Sequence, residues 1–207
     1  MRERRAFVST LAAVGPEAPT ICGAWTAGDL AIHLVTGEVA AAIPSAPFRW
    51  LVGRGVRLDR LAPVNERALA SYRGRRDFDW ALRRLNRPPP RLHGRGVVAA
   101  VSLLEVWAHH EDILAVNDAG TCRSGVDLTA VVAVLARYQR GLLNRHAVRV
   151  SSMEAVWHEP NVSPRAMVDG PVDDVARWLA GRSPSDALTV SGEPGATQAL
   201  AADCPRL

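Results

Sequence analysis

The sequence predicts a mainly α-helical protein with two parts, a helical bundle over about residues 1–118 and a small α/β domain over about 119–207. In the first part, apolar residues recur three and four positions apart, which is the helical period. After a turn-rich segment at 117–125, short stretches alternate between apolar and polar residues, as strands do. Hydrophobic residues make up 48% of the 207 residues, enough to bury a core.

The first part contains five predicted helices. The second begins with Thr26 followed three residues later by Asp29, a capping-box pattern in which short polar side chains meet free amides of the first turn. The three prolines at 88–90 separate the fourth helix from the fifth, which is the most apolar in the chain. The expected ranges are about 2–14, 26–43, 58–72, 77–86 and 96–116.

The second part alternates helices with short strands. A helix is predicted over about 128–143, and the segments HAVRV, MEAVWHE and RAMVD then have the period of strands. The segment PVDDVARWLAG (171–181) opens with proline, carries early acidic residues and ends in glycine, all signals of a well-delimited helix. DALTVSG predicts a further strand and PGATQALAA a last short helix.

Charge and cysteine usage exclude several function classes. The net charge is +4, and the 25 basic residues, all arginine, are mixed with 21 acidic ones, so no basic stripe indicates nucleic-acid binding. No apolar stretch is long enough to cross a membrane, and the N-terminus reads as an amphipathic helix rather than a signal peptide. The three cysteines, Cys22, Cys122 and Cys204, form no CxxC pair, which argues against a disulfide framework and against a thiolate zinc site. This cysteine usage fits a protein of the reducing cytoplasm.

Three residues on two predicted helices form a candidate metal site. Glu105 and His109 are four positions apart, so they share one face of the fifth helix, and His33 lies on the second helix. A divalent cation would explain a carboxylate and an imidazole on an otherwise apolar stripe. A Glu–His ion pair and a hydrogen-bonded core histidine are the alternatives. Three such ligands leave a coordination position open and suit zinc best, with nickel, iron or manganese as alternatives.

Neighbouring polar residues have predicted supporting roles. Asp112 is one turn beyond His109 and could orient its ring. Asp29 is one turn before His33 and could either accept that ring's proton or cap the helix. His110 faces away from the Glu105 stripe and is interpreted as an ordinary histidine.

Two paired motifs resemble a known family. WTAGDLAIHL at 25–34, followed by LEVWAHHEDI at 104–113, resembles the DinB-like superfamily and, within it, an actinobacterial metal-binding subgroup of the mycothiol-dependent maleylpyruvate isomerases. The segments GPVDDVARWLAGR and LTVSGEP are similar to that family's small sterol-carrier-like domain. The resemblance implies a four-helix metal-binding bundle in which His33, Glu105 and His109 match the three ligand positions.

The same resemblance implies an activity. Members of the family use a metal to activate mycothiol, a small-molecule thiol, as cosubstrate toward an electrophilic small molecule, giving thiol transfer or isomerisation. Arg182, which closes a predicted helix, would bind an anionic substrate or else cap that helix or make a surface ion pair. The alternatives are a non-catalytic metal-binding or regulatory protein and a metal-dependent hydrolase that uses a metal-bound water. A monomer or a homodimer is expected.

Overall fold

The computed structural model describes residues 2–42, 70, 77–88, 96–117 and 127–203. Within these residues the protein is mainly helical, with eight helices and one mixed four-stranded sheet. They group into two compact units, one ending at residue 117 and the other covering 127–203. The predicted division at 118/119 falls outside the described residues and stays a prediction.

Four helices of the first unit agree with the sequence-based ranges. The third predicted helix, about 58–72, falls on residues of which only residue 70 is described, so the four-helix bundle stays a prediction. None of the described helices is both long and apolar enough to cross a membrane. The helices are α1 (Arg2–Val14), α2 (Ala27–Ala42), α3 (Phe78–Leu85) and α4 (Gly96–Leu114).

The core of the first unit is formed where these helices pack together. α1 contacts α4, and α2 contacts α3, with further contacts of α1 to α2 and of α2 to α4. The buried core side chains include Phe7 and Leu11 of α1, Leu30 of α2, Leu85 of α3 and Ile113 of α4. Burying each such side chain contributes roughly 1.5–3 kcal/mol. This packing brings the second and fourth helices together, as the candidate site requires.

The second unit is a small α/β arrangement. Its sheet has the order β2-β1-β3-β4, in which β1 and β3 are parallel and the other two pairs antiparallel. Val148 and Val150 of β1 lie opposite Ala166 and Val168 of β3, and all four are buried. The elements are α5 (Thr129–Tyr138), α6 (Arg140–Arg145), β1 (Val148–Ser151), β2 (Val156–His158), β3 (Ala166–Asp169), α7 (Val172–Leu179), β4 (Thr189–Gly192) and α8 (Pro194–Ala202).

One element differs from the sequence-based expectation. The single helix predicted over 128–143 is two helices, α5 and α6, which meet at Gln139. The backbone of Gln139 departs from α-helical geometry (φ −83°, ψ 4°). Its side-chain amide donates to the carbonyl of Leu179 at 3.1 Å. This long-range hydrogen bond occurs where the helix breaks, and no local pattern of apolar residues reveals it.

Candidate metal centre

The start of α2 is fixed by local hydrogen bonds that place His33. The hydroxyl of Thr26 accepts from the amide of Asp29 at 3.3 Å, and the Asp29 carboxylate accepts from the amide of Thr26 at 3.2 Å. This reciprocal pair is a capping box, as the sequence predicts. His33 follows one turn later, between the buried Ile32 and Leu34, with its side chain 15% exposed.

The contacts described for Asp29 therefore belong to the helix cap. A carboxylate oxygen that accepts from the Thr26 amide satisfies one of the unpaired donors of the first helical turn. Capping was one of the two roles that the sequence left open for Asp29. Its predicted second role, orienting the ring of His33, stays a prediction.

α4 supplies the other two predicted ligands from one face. Glu105 and His109 are separated by one turn, with Val106, Trp107 and Ala108 buried between them. Glu105 Oε2 lies 3.8 Å from His109 Nε2. The burial of Trp107 fixes the rotation of the helix, so that the partly exposed Glu105 and His109 share the side that faces α2.

The structure brings all three predicted ligands together. His33 Nε2 is 3.7 Å from Glu105 Oε2, and the rings of His33 and His109 are 5.1 Å apart at 88°. One ligating atom from each residue lies within 4.8 Å of the others. The two distances to Glu105 are longer than hydrogen bonds. Atoms bound to one tetrahedral zinc ion at about 2.0–2.2 Å lie about 3.4 Å apart, so small side-chain movements would allow coordination.

Asp112 is placed to control the orientation of His109. Its carboxylate is fully buried, and Oδ2 lies 3.0 Å from His109 Nδ1. An ionised carboxylate only accepts hydrogen bonds, so this contact suits a proton on Nδ1 and leaves Nε2 directed toward Glu105. The contact has the geometry that the sequence-based role of Asp112 requires.

Two aromatic side chains adjoin the candidate ligands. The ring of Trp25 lies 5.0 Å from that of His33, tilted by 53°, and Trp25 also packs against the hydrophobic core. Trp107 of α4 is 3% exposed and belongs to the interior. Trp25 therefore restricts the ring of His33 on one side.

Cys22 is a site neighbour that the sequence analysis did not identify. Its thiol donates to Asp112 Oδ2 at 2.9 Å, and its sulfur is 3.9 Å from His109 Nδ1. Cys22, His109 and Asp112 form a second group of potential metal ligands. Because 87 residues separate Cys22 from His109, no short motif could have joined them.

His110 takes part in a separate buried cluster. It is 2% exposed, with Nδ1 at 2.6 Å from Glu3 Oε1 and Nε2 at 2.8 Å from the hydroxyl of Thr10. Phe7 of α1 packs edge-on against its ring. His110 therefore connects α4 to α1, while its neighbour His109 faces α2, in agreement with the opposite directions expected from the sequence.

Arg182 lies in the second unit, just beyond α7. Its guanidinium donates to the carbonyl of Ala180 at 2.6 Å, which is the contact of a residue that caps the end of a helix. Capping was one of the three alternatives for Arg182. Its predicted role in binding an anionic substrate stays a prediction.

Comparisons with known proteins identify solved structures with a similar fold. A protein-family scan and a search of curated proteins find no match. Two solved structures are similar: the mycothiol-dependent maleylpyruvate isomerase (15% identity, TM-score 0.58) and a histidine-to-alanine mutant of it (14%, 0.58). Each alignment covers 92% of this chain and 90% of the other. The resemblance to this enzyme that the sequence motifs indicated is confirmed at the level of the fold.

Proposed function

We propose that this protein binds one divalent metal ion through His33, Glu105 and His109 and uses it in a mycothiol-dependent reaction of the maleylpyruvate isomerase type. The observation that supports the proposal most strongly is the convergence of the three ligating atoms within 4.8 Å, from helices more than seventy residues apart in sequence. The similarity in fold to a mycothiol-dependent enzyme supports the choice of cosubstrate.

The donor set suits a catalytic centre better than a structural one. Two imidazoles and one carboxylate occupy three coordination positions, which leaves room for an exchangeable ligand. All three residues are partly exposed, so a small molecule can reach their side chains. Zinc fits this donor set best, with nickel, iron and manganese as alternatives.

The chemistry proposed for the centre is activation of a thiol. A bound divalent cation stabilises a thiolate and so makes the sulfur of a small-molecule thiol a nucleophile at neutral pH. That sulfur would attack an electrophilic carbon, in either a transfer or an isomerisation.

Residues of this chain would hold the site ready for that reaction. The contact between Asp112 and Nδ1 of His109 would hold the ring with Nε2 toward the metal, and Glu105 would contribute the single negative charge of the ligand set. Trp25 limits the rotation of His33. The proposal requires the ligating nitrogen of each imidazole to carry no proton, because only a nitrogen with a free lone pair can bind a cation.

Two measurements on purified protein test the proposal. After loading with Zn²⁺, His33→Ala should hold one metal ion per chain fewer than the wild type while keeping its circular dichroism spectrum. His146→Ala is the matched control, because His146 lies in the second unit and contacts Asp203. Full metal content in His33→Ala would remove the proposed ligand set.

A calorimetric titration with mycothiol then tests the cosubstrate. Metal-loaded wild type should bind the thiol, and protein stripped of metal should bind it much more weakly. Tight metal binding without thiol binding would favour hydrolysis or a non-catalytic role, which are the two alternatives given above.

A further inference from the structure

We propose that Cys22, Asp112 and Nδ1 of His109 form a second cation site for a thiophilic divalent ion such as Zn²⁺ or Cd²⁺. The proposal extends the function given above, because the two sites share the imidazole of His109 and use its two different nitrogens. Nε2 faces Glu105, whereas Nδ1 faces Asp112 and Cys22. One ring can therefore belong to both groups of ligands.

The distances within this second group fit a shared ion. Asp112 Oδ2 lies 2.9 Å from the sulfur of Cys22 and 3.0 Å from His109 Nδ1, and the sulfur and Nδ1 are 3.9 Å apart. Ligands of a tetrahedral zinc ion with bonds of about 2.0–2.3 Å lie about 3.4–3.6 Å from one another. Side-chain shifts of a few tenths of an ångström would accommodate the ion.

The donor types select the kind of ion. A thiolate is a soft ligand that favours zinc and cadmium over magnesium and calcium, and imidazole shares that preference. A carboxylate completes the set and adds negative charge. The expected ion is therefore thiophilic, in contrast to the first centre, whose ligand set contains no sulfur.

The charge balance is compatible with an ion at this position. Asp112 is fully buried, and the thiol of Cys22 and the ring of His109 both contact its carboxylate. A divalent ion would displace one proton from the thiol and one from Nδ1, so two positive charges leave and two arrive. The buried carboxylate thus keeps the same compensating charge with the ion as without it.

The loop that carries Cys22 is held in position before any ion arrives. The amide of Ile21 donates to the backbone carbonyl of Asp112 at 3.1 Å, which ties the loop to α4. The hydroxyl of Thr20 accepts from the amide of Cys22 at 3.0 Å and donates to the carbonyl of Trp25 at 2.7 Å. Gly23 has a φ of +61°, a left-handed conformation that glycine adopts at little cost.

A Cd²⁺ titration, followed by ultraviolet absorption and by equilibrium dialysis, tests the second site. Wild-type protein should bind two equivalents and show the charge-transfer absorption of a cadmium–thiolate bond. Cys22→Ala should bind one equivalent and lack this absorption. Cys122→Ser and Cys204→Ser are the matched controls and should retain both signals.

His33→Ala separates the second site from the first. This variant should lose one equivalent of Cd²⁺ but keep the thiolate absorption, because Cys22, Asp112 and His109 remain. A wild type that binds Cd²⁺ without the thiolate absorption would overturn the second site. So would absorption that persists in Cys22→Ala or disappears in His33→Ala. A wild type with one equivalent and no thiolate signal would leave the proposed function intact.

Discussion

The fully buried carboxylate of Asp112 lies 3.0 Å from Nδ1 of His109, three residues earlier on the same helix. A carboxylate that accepts a ring proton fixes both the tautomer and the rotation of a histidine, and it makes the opposite nitrogen a better ligand. Asp112 is not a ligand of the proposed first centre, but through His109 it should therefore affect how tightly that centre binds metal.

Asp112→Asn should weaken metal binding. Asparagine keeps the shape of aspartate but removes the negative charge beside the His109 ring. The dissociation constant for Zn²⁺ should rise about 10–100-fold, the usual effect of losing such a partner. Competition against a chromophoric chelator measures this change. An unchanged constant in a folded variant would show that Asp112 serves packing alone.

Glu105→Gln should remove the stabilisation that metal gives to the fold. A ligand present at 100 times its dissociation constant stabilises a protein by about 2.7 kcal/mol. Zn²⁺ bound at the first centre should therefore raise the melting temperature of the wild type, and Glu105→Gln should lose that part of the increase. Glu111→Gln, a change on the same helix, serves as the control and should respond like the wild type. An equal response of Glu105→Gln would exclude Glu105 as a ligand.

His110→Ala should cost stability but not metal binding. Truncation removes one partner of the buried Glu3 and the ring contact with Phe7. Removing one hydrogen-bond partner of a buried carboxylate costs about 1–3 kcal/mol in the free energy of unfolding, which urea denaturation measures. The neighbouring change, His109→Ala, should abolish metal binding with a smaller loss of stability. The reverse pattern would show that the two histidines have been assigned to the wrong sides of α4.

The second unit should lose stability on mild acidification through His158. Burial lowers the pKa of His158 below its ordinary value, and the positive charge of Arg140 lowers it further. In the unfolded chain the pKa is about 6.5, so the unfolded state takes up this proton first as the pH falls. The contribution of His158 to stability is therefore complete above about pH 6.5 and decreases below it.

Urea denaturation of metal-free protein at pH 7.5 and pH 6.0 measures this contribution. The wild type should lose more stability between the two values than His158→Gln, whose side chain does not titrate in this range. Identical losses in the two proteins would show that His158 titrates alike in the folded and unfolded states.

Most helices could be predicted from the sequence because their signals are local. The capping pattern of Thr26 and Asp29, the apolar period of α4 and the proline-to-glycine limits of α7 each act within one element. The break at Gln139 was not predicted; the long-range contact found there is a hydrogen bond to Leu179, forty residues away, which no local pattern indicates.

The candidate site was predictable for the same reason, but only in part. The four-residue spacing fixes Glu105 and His109 on one face of the helix. The resemblance of the paired motifs to a known family then indicated that His33 belongs to the same site. Cys22 has no such signal, because the loop of Thr20 and Ile21 places it beside Asp112 only after folding. The hydrogen bond between Glu3 and His110 likewise depends on the packing of α1 against α4.

Anomalous diffraction from zinc-loaded crystals tests the central claim most directly. The account predicts a peak within about 2.0–2.2 Å of Nε2 of His33, Nε2 of His109 and one carboxylate oxygen of Glu105. A zinc-loaded crystal with no peak among these three side chains would contradict it, wherever else on the chain the metal is found.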